Sequence, residues 1–135
     1  TVIQSTGTAA WIGTSITSIV TFSSVEWQPY VLLALVYLIT MILTEVSSNA
    51  ATAIIMTPIV VAVTTQMNFD PRPFIFSVCF AASASFITPV GYQTNLMVYG
   101  PGGYKFSDFI KVGLPLALTL WVMAVIFIPI IWPFQ

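Results

Sequence analysis

Histidine is absent from this 135-residue chain, and cysteine occurs once, at Cys79. Charge is scarce too: Glu26, Glu45, Asp70 and Asp108 stand against Arg72, Lys105 and Lys111, 5% of the residues, for a net charge of -1. Without histidine, and with its few carboxylates far apart in sequence, the chain offers neither a metal cluster nor a general acid–base pair, so no catalytic residue is expected and the chain reads as a non-enzyme. Dispersed cations form no basic patch, which excludes nucleic acid as a partner. The lone cysteine lies in an apolar run, closes no intrachain bridge, and has packing as its expected role. No initiator methionine or basic leader opens the chain, so a segment of a longer protein is expected.

What is present is apolar. Hydrophobic residues make up 58% of the chain and the mean hydropathy is +0.99, whereas a soluble domain carries roughly one-quarter charged residues. The class is an all-α, multi-pass integral membrane protein of a plasma or bacterial inner membrane, with lipid as its surroundings.

Two polar breaks interrupt the apolar stretches. Residues 30–44 are almost purely apolar, but about fifteen residues at 1.5 Å each reach only about 22 Å, short of a roughly 30 Å hydrocarbon core. Glu45, Ser47, Ser48 and Asn49 follow, and then a second apolar helix up to Gln66 with Pro58 inside it. One long helix followed by a short one would fit; a re-entrant hairpin over 30–66 fits better, because the polar cluster falls where a tip needs it. The second break, Thr88-Pro89-Val90-Gly91-Tyr92-Gln93-Thr94-Asn95, interrupts 74–99 and predicts a discontinuous helix. Broken backbone at membrane depth is tolerated only where it packs in protein or lines a site, and two such breaks point to a transporter.

The flanking segments complete the layout. Residues 1–22 hold nine Thr and Ser residues and no charge, which predicts a helix lying at the membrane surface with Trp11 as an anchor. Residues 105–111 read as a short interfacial stretch with Phe106, Phe109 and Ile110 toward lipid, and 114–134 as the one outright transmembrane helix. Lys105 and Lys111 then fall on the cytoplasmic side, with Glu26 and Arg72 on the other.

The breaks supply hydroxyl, amide and carbonyl oxygens, hard ligands of the kind a sodium ion takes, and helix N-termini suited to anions. Ser48 and Asn49 precede a helix and could be simple caps or part of a site; Thr94 and Asn95 pose the same choice at the second break. Glu45, the one acid within an apolar stretch, has three open roles: carrying protons, holding a cation, or accepting backbone hydrogen bonds at the tip. The Gly100–Gly103 run lacks the Lys and Ser/Thr of a phosphate loop and reads as a turn.

The chain 43–52, Leu-Thr-Glu-Val-Ser-Ser-Asn-Ala-Ala-Thr, resembles the second Ser-Asn-Thr signature of the divalent anion/sodium symporter family. The second break, continued by Met97-Val98-Tyr99-Gly100-Pro101-Gly102-Gly103-Tyr104, is similar to the unwound loop that follows it in that family. The resemblance implies the second of two inverted repeats of an elevator-type carrier, completed by an N-terminal repeat not in this sequence, with a homodimer as the expected assembly. It implies sodium-coupled symport of a small anion, sulfate or a dicarboxylate, with Na+ as the coupling ion. Carried over by position, Ser48, Asn49, Thr94 and Asn95 would bind substrate, and Ser48, Asn49, Gly91 and Asn95 would bind sodium. Ala50 departs from the signature threonine, which removes one hydroxyl. The Gly-Tyr-Gln-Thr-Asn form of the loop is closer to sulfate-type permeases. The alternatives are an antiporter or exporter of the same superfamily, moving sodium and protons or arsenite, and a non-transporting membrane scaffold.

Overall fold

A computed structural model describes residues 8–134 of the chain, with side chains from Gly13 onward. The expectations for residues 1–7 and for the Trp11 side chain lie outside the described residues. The described residues form six α-helices: α1 (Thr8–Thr21), α2 (Gln28–Thr44), α3 (Asn49–Gln66), α4 (Pro71–Ala82), α5 (Gln93–Tyr99) and α6 (Phe106–Ile131). No strand occurs among them.

Local chemistry accounts for most of the boundaries. Pro29 and Pro71 sit in the first turns of α2 and α4, where a missing N–H costs nothing. Ser48 and Asp70 are extended N-caps, accepting from the backbone N–H of Ala51 and Arg72 at 3.3 and 3.0 Å. α3 ends with Asn68 at φ 56, and the Phe69 N–H then reaches back to the Thr64 carbonyl at 2.9 Å, closing the helix in the left-handed manner that asparagine tolerates. α1 carries its polar residues by satisfying them internally: Thr17, Ser18 and Thr21 each donate to a carbonyl three or four residues back.

α2, α3 and α4 make the core. The face of α4 built from Phe74, Ser77, Val78, Ala81 and Ala82 repeats at helical spacing and is buried; it packs chiefly on α2 and α3. Its small residues let backbones approach closely. Leu32, Leu33 and Val36 of α2, Met56, Ile59 and Val60 of α3, and Ile16 and Val20 of α1 close on the same cluster. Cys79, expected to pack, is instead exposed, because the packed face of α4 passes through its neighbours Val78 and Ala81.

α6 runs along this core with most of its surface open; only Gly113, Ala117 and Ile128 are buried. The Trp121 indole N–H donates to the Ala34 carbonyl of α2 at 3.0 Å. The tail returns over the starts of α2 and α4: Phe134 packs edge-on to Tyr30 and against Phe74, and Trp132 stacks on Phe76 with centroids 4.1 Å apart. α3 and α6 are the two helices long and apolar enough to cross a membrane by length and composition.

Sequence spacing differs from the structure at two places. The interfacial stretch 105–111 and the span 114–134 are one continuous helix: Asp108 accepts from the Lys105 N–H at 2.9 Å and sets the start of α6 there, and the helix runs on through Gly113 and Pro115. Phe109 does not face outward alone but packs against Tyr99 and Tyr104. Within 74–99, helix ends at Ala82 rather than near Thr88, and residues 83–92 form the loop before α5.

Candidate functional site

The turn at 45–48 is made by the chain tightening at the end of α2. Val46 and Ser47 both direct their N–H groups to the Leu43 carbonyl, at 3.3 and 3.1 Å. The Ser47 hydroxyl donates to the same carbonyl at 3.0 Å and lies 2.6 Å from the Thr52 hydroxyl. The Ser48 hydroxyl caps α3. The hydroxyls of the turn are thus occupied in holding its own shape.

The loop 83–92 is bonded to that turn from several directions. Glu45 is 7% exposed, and its carboxylate oxygens accept the backbone N–H groups of Ile87 at 2.9 Å and Thr88 at 2.8 Å. The Thr88 hydroxyl returns a bond to the Glu45 carbonyl at 3.0 Å and accepts the Gly91 N–H at 3.2 Å. The Ser85 hydroxyl donates to the Thr44 carbonyl at 3.2 Å. Of the three roles open to Glu45, the one its geometry displays is the acceptance of backbone hydrogen bonds, drawn from the loop across the gap.

Gly91 is buried at the point of closest approach. A Cβ there would collide with the Ser85 hydroxyl and stand 2.9 Å from the Thr44 carbonyl oxygen and 3.0 Å from the Glu45 Cα. Backbone cannot move aside as a side chain can, so glycine is required by the contact itself. On the far side of the loop, Gly113 of α6 meets the Phe86 carbonyl just as closely, and the loop is held between the turn and α6.

The two asparagines belong to the same network. Asn95 donates from its amide nitrogen to the Ser85 and Thr88 carbonyls at 3.1 and 3.3 Å, which uses both its N–H bonds and leaves its oxygen free of protein donors among the described residues. The Thr44 hydroxyl is placed to donate both to the Asn49 Oδ1 at 2.9 Å and to the Ala82 carbonyl at 2.8 Å. Thr44 has one proton, and the Ala82 carbonyl can only accept it. Turning the Asn49 amide so that its NH2 faces Thr44 satisfies all three groups and frees the Asn49 oxygen.

Asn49, Ser83, Ser85, Phe86, Tyr92, Thr94 and Asn95 line a cavity of about 370 Å³ between turn and loop. No charged side chain lines it. Of the residues expected at a site, the structure therefore brings Asn49, Thr94 and Asn95 to one cavity and puts Gly91 at the contact beneath it. Ser48 is exposed on the turn, is engaged as a cap and is not part of the lining. Ala50 is exposed in the first turn of α3. Ser83, Ser85 and Phe86 of the lining were not expected at a site, and the hydroxyl spacing Ser83-Ala84-Ser85 ahead of Pro89 was their one sequence signal. Tyr92 of the lining, and Thr44 and Thr88 beneath it, fall within the two quoted motifs but were given no role there. Among the described residues no three histidine, cysteine or acidic side chains gather as a metal cluster; the oxygens available to a cation at the cavity are neutral.

An apolar helical chain with a charge-free polar cavity between two backbone breaks has the build of a membrane transport protein. Residues 2–134 match the model of the citrate transporter family, and the chain belongs to that family. It is 42% identical over 135 residues, 100% of its length, to "Uncharacterized transporter sll0640" of Synechocystis sp., covering 21% of that protein. It is 34% identical over 126 residues, 93% of its length, to "Sodium-dependent high-affinity dicarboxylate transporter 3" of Caenorhabditis elegans, covering 21% of it. It is 36% identical over 89 residues, 66% of its length, to "Sodium/sulfate cotransporter 1" of Chlamydomonas reinhardtii, covering 10% of it. These relatives agree with the divalent anion/sodium symporter resemblance of the signature residues. The chain spans about a fifth, or less, of the length of these relatives. Its family and these relatives are named as transporters, and none of them as an enzyme.

Proposed function

We infer that this chain supplies half of the binding site of a sodium-coupled symporter for a small divalent anion, sulfate or a dicarboxylate. The observation that carries the reading is the pair of asparagines. Asn95 of α5 spends both amide N–H groups on loop carbonyls and keeps its oxygen; Asn49, at the start of α3, meets the Thr44 hydroxyl, and once its amide is turned as that hydroxyl's single proton requires, it too has an oxygen left for a cation in a cavity without charged side chains. Neutral oxygens suit sodium, and the Thr94 hydroxyl and Tyr92 phenol offer donors to an anion. The residues present therefore fit a sodium ion, with Asn49 and Asn95 as ligands and Gly91 contributing from the second backbone break, and with Asn49, Thr94 and Asn95 meeting the anion, while Ser48 acts by capping α3 beside them.

Electrostatics gives the reason for coupling. A dianion gains little in a cavity lined only by dipoles, but a sodium ion about 4 Å away contributes roughly 4 kcal/mol per unit charge at an effective dielectric constant of about 20. Each ion then holds the other in place. In this reading α2 and α3 form the re-entrant hairpin, α4, the loop and α5 form the discontinuous helix, and the whole is the second of two inverted repeats in an elevator-type carrier assembled as a dimer. The printed names of the relatives include both sulfate and dicarboxylate carriers, and the Gly-Tyr-Gln-Thr-Asn loop favours sulfate. The test is uptake of labelled sulfate and succinate by the full-length protein in vesicles with and without a sodium gradient, with Asn49→Ala and Asn95→Ala alongside. Sodium-stimulated uptake of either anion, with the sodium half-saturation raised in both variants, is expected. Sodium-driven proton movement without anion uptake would refute symport.

A further inference from the structure

We propose that Glu45 is the positioning residue of this site: it fixes the loop 83–92 against the turn so that the Asn49 and Asn95 oxygens keep their spacing for a cation. The proposal rests on the sodium-coupled reading given above. Glu45 is not in the cavity lining, and its two carboxylate oxygens are each met by a loop N–H, from Ile87 and from Thr88. Its role is thus exerted through the loop. The route to the cavity is short. Thr88 is held by both its N–H and its hydroxyl to Glu45; the Thr88 carbonyl accepts from the Asn95 amide; and that bond, with the one to Ser85, decides which end of the Asn95 amide is left for the cavity. Asn49 is tied to the same place through Thr44, whose own carbonyl takes the Ser85 hydroxyl. One side chain therefore joins the two walls that carry the oxygens.

The chemistry demands a carboxylate. An amide at this position has one oxygen and an NH2 group that only donates, so one loop N–H would face another donor in a buried place. Loss of one such charge-assisted bond weakens whatever depends on it by about tenfold or more. Thr88→Val removes the return bond to the Glu45 carbonyl, together with the acceptor of the Gly91 N–H, while leaving the carboxylate untouched and keeping the shape of the side chain.

The experiment uses the full-length protein with Glu45→Gln, Glu45→Asp, Thr88→Val and the Gln/Val double variant, read in two ways. Sodium titrations of anion uptake, normalised to protein in the membrane, should show the half-saturation for sodium raised about tenfold in Glu45→Gln with the maximal rate within about twofold of the parent. Glu45→Asp, which keeps two acceptor oxygens, should recover part of the shift. Thr88→Val should reproduce the direction, and the double variant should fall short of the product of the two, since both act on one contact. Hydrogen exchange of the 83–92 amides in the purified protein without substrate should accelerate in Glu45→Gln and in Thr88→Val. Unchanged exchange in Glu45→Gln would overturn the clamp. Faster exchange with an unshifted sodium curve would overturn its positioning role, as would a sodium curve altered by Glu45→Gln and untouched by Thr88→Val, the pattern of a direct cation ligand. If the parent shows no sodium dependence at all while exchange accelerates in both variants, the sodium reading falls and the clamp remains.

Discussion

Gly91 shows how a single absent side chain holds the site together. Ser85 could rotate to admit a Cβ at this position, but the Thr44 carbonyl and the Glu45 Cα could not. Gly91→Ala is therefore expected to lift the loop from the turn, with uptake falling at least about tenfold and stability by about 1–3 kcal/mol, the usual cost of overpacking. Transport normalised to membrane abundance, with a thermal melt in detergent, measures both. Ser77 presents the reverse case. Its side chain is fully buried in α4, and its hydroxyl has no hydrogen-bond partner among the described residues. A buried hydroxyl without a partner costs stability, so Ser77→Ala should leave the melt unchanged or raise it by up to about 1 kcal/mol equivalent, and a clear fall would show that the hydroxyl is engaged in the full-length protein.

Among the elements, α6 and the loop 83–92 depend on each other. Gly113 lets α6 lie directly on the Phe86 carbonyl, so Gly113→Ala should push the helix from the loop and cost about 1–3 kcal/mol, seen as a lower melt and as faster proteolysis within 83–92. The same two elements mark the limits of sequence reading. The turn at 45–48 was legible because its determinants are local: an apolar run ends in Glu45, and Ser48 stands where a cap is needed. The start of α4 was placed at 74, three residues late, although its cap Asp70 and Pro71 are equally local. The end of α4 was not legible. Nothing between Ser83 and Ile87 breaks a helix; the chain leaves it because Glu45, forty residues away, takes the N–H groups of Ile87 and Thr88 and Thr44 takes the Ala82 carbonyl. α6 erred in the opposite direction. The stretch 105–111 and the span 114–134 read as separate pieces, yet one long helix, tied at its start by Asp108 and at Trp121 by Ala34, runs through both. Of the site, Asn49, Thr94 and Asn95 were legible as polar residues at breaks. Their hydrogen-bond partners Thr44 and Ser85 were not, since small hydroxyl residues in apolar runs are more often packing than ligands, and Thr88, though it opens the second break, acts through a carbonyl that no sequence pattern marks.

For the whole molecule, the arrangement of ends is a testable matter. The tail after α6 lies on the starts of α2 and α4, near Tyr30 and Phe74, whereas Lys105 and Lys111 lie at the other end of α6. With Cys79, itself exposed, replaced by alanine, a cysteine placed at position 72 should be labelled from outside the cell and one at position 105 only from within. Labelling of 105 alone from outside would invert the orientation. The contact between Gly113 and Phe86 adds a measure of depth. At 1.5 Å per residue Gly113 lies about 10 Å along α6 from Phe106 and about 27 Å from Ile131, so the cavity is set well off-centre, toward the lysine-bearing end. With α6 spanning the bilayer in the proposed orientation, membrane voltage would fall across the intervening distance. A sodium ion arriving from the Arg72 side would traverse roughly two-thirds of the electric field, worth about 1.5 kcal/mol per 100 mV. Its apparent affinity measured from that side should therefore tighten about tenfold for each additional 100 mV of inside-negative potential, while ions arriving from the lysine side should respond far less, making the bound chain a voltmeter of its own asymmetry.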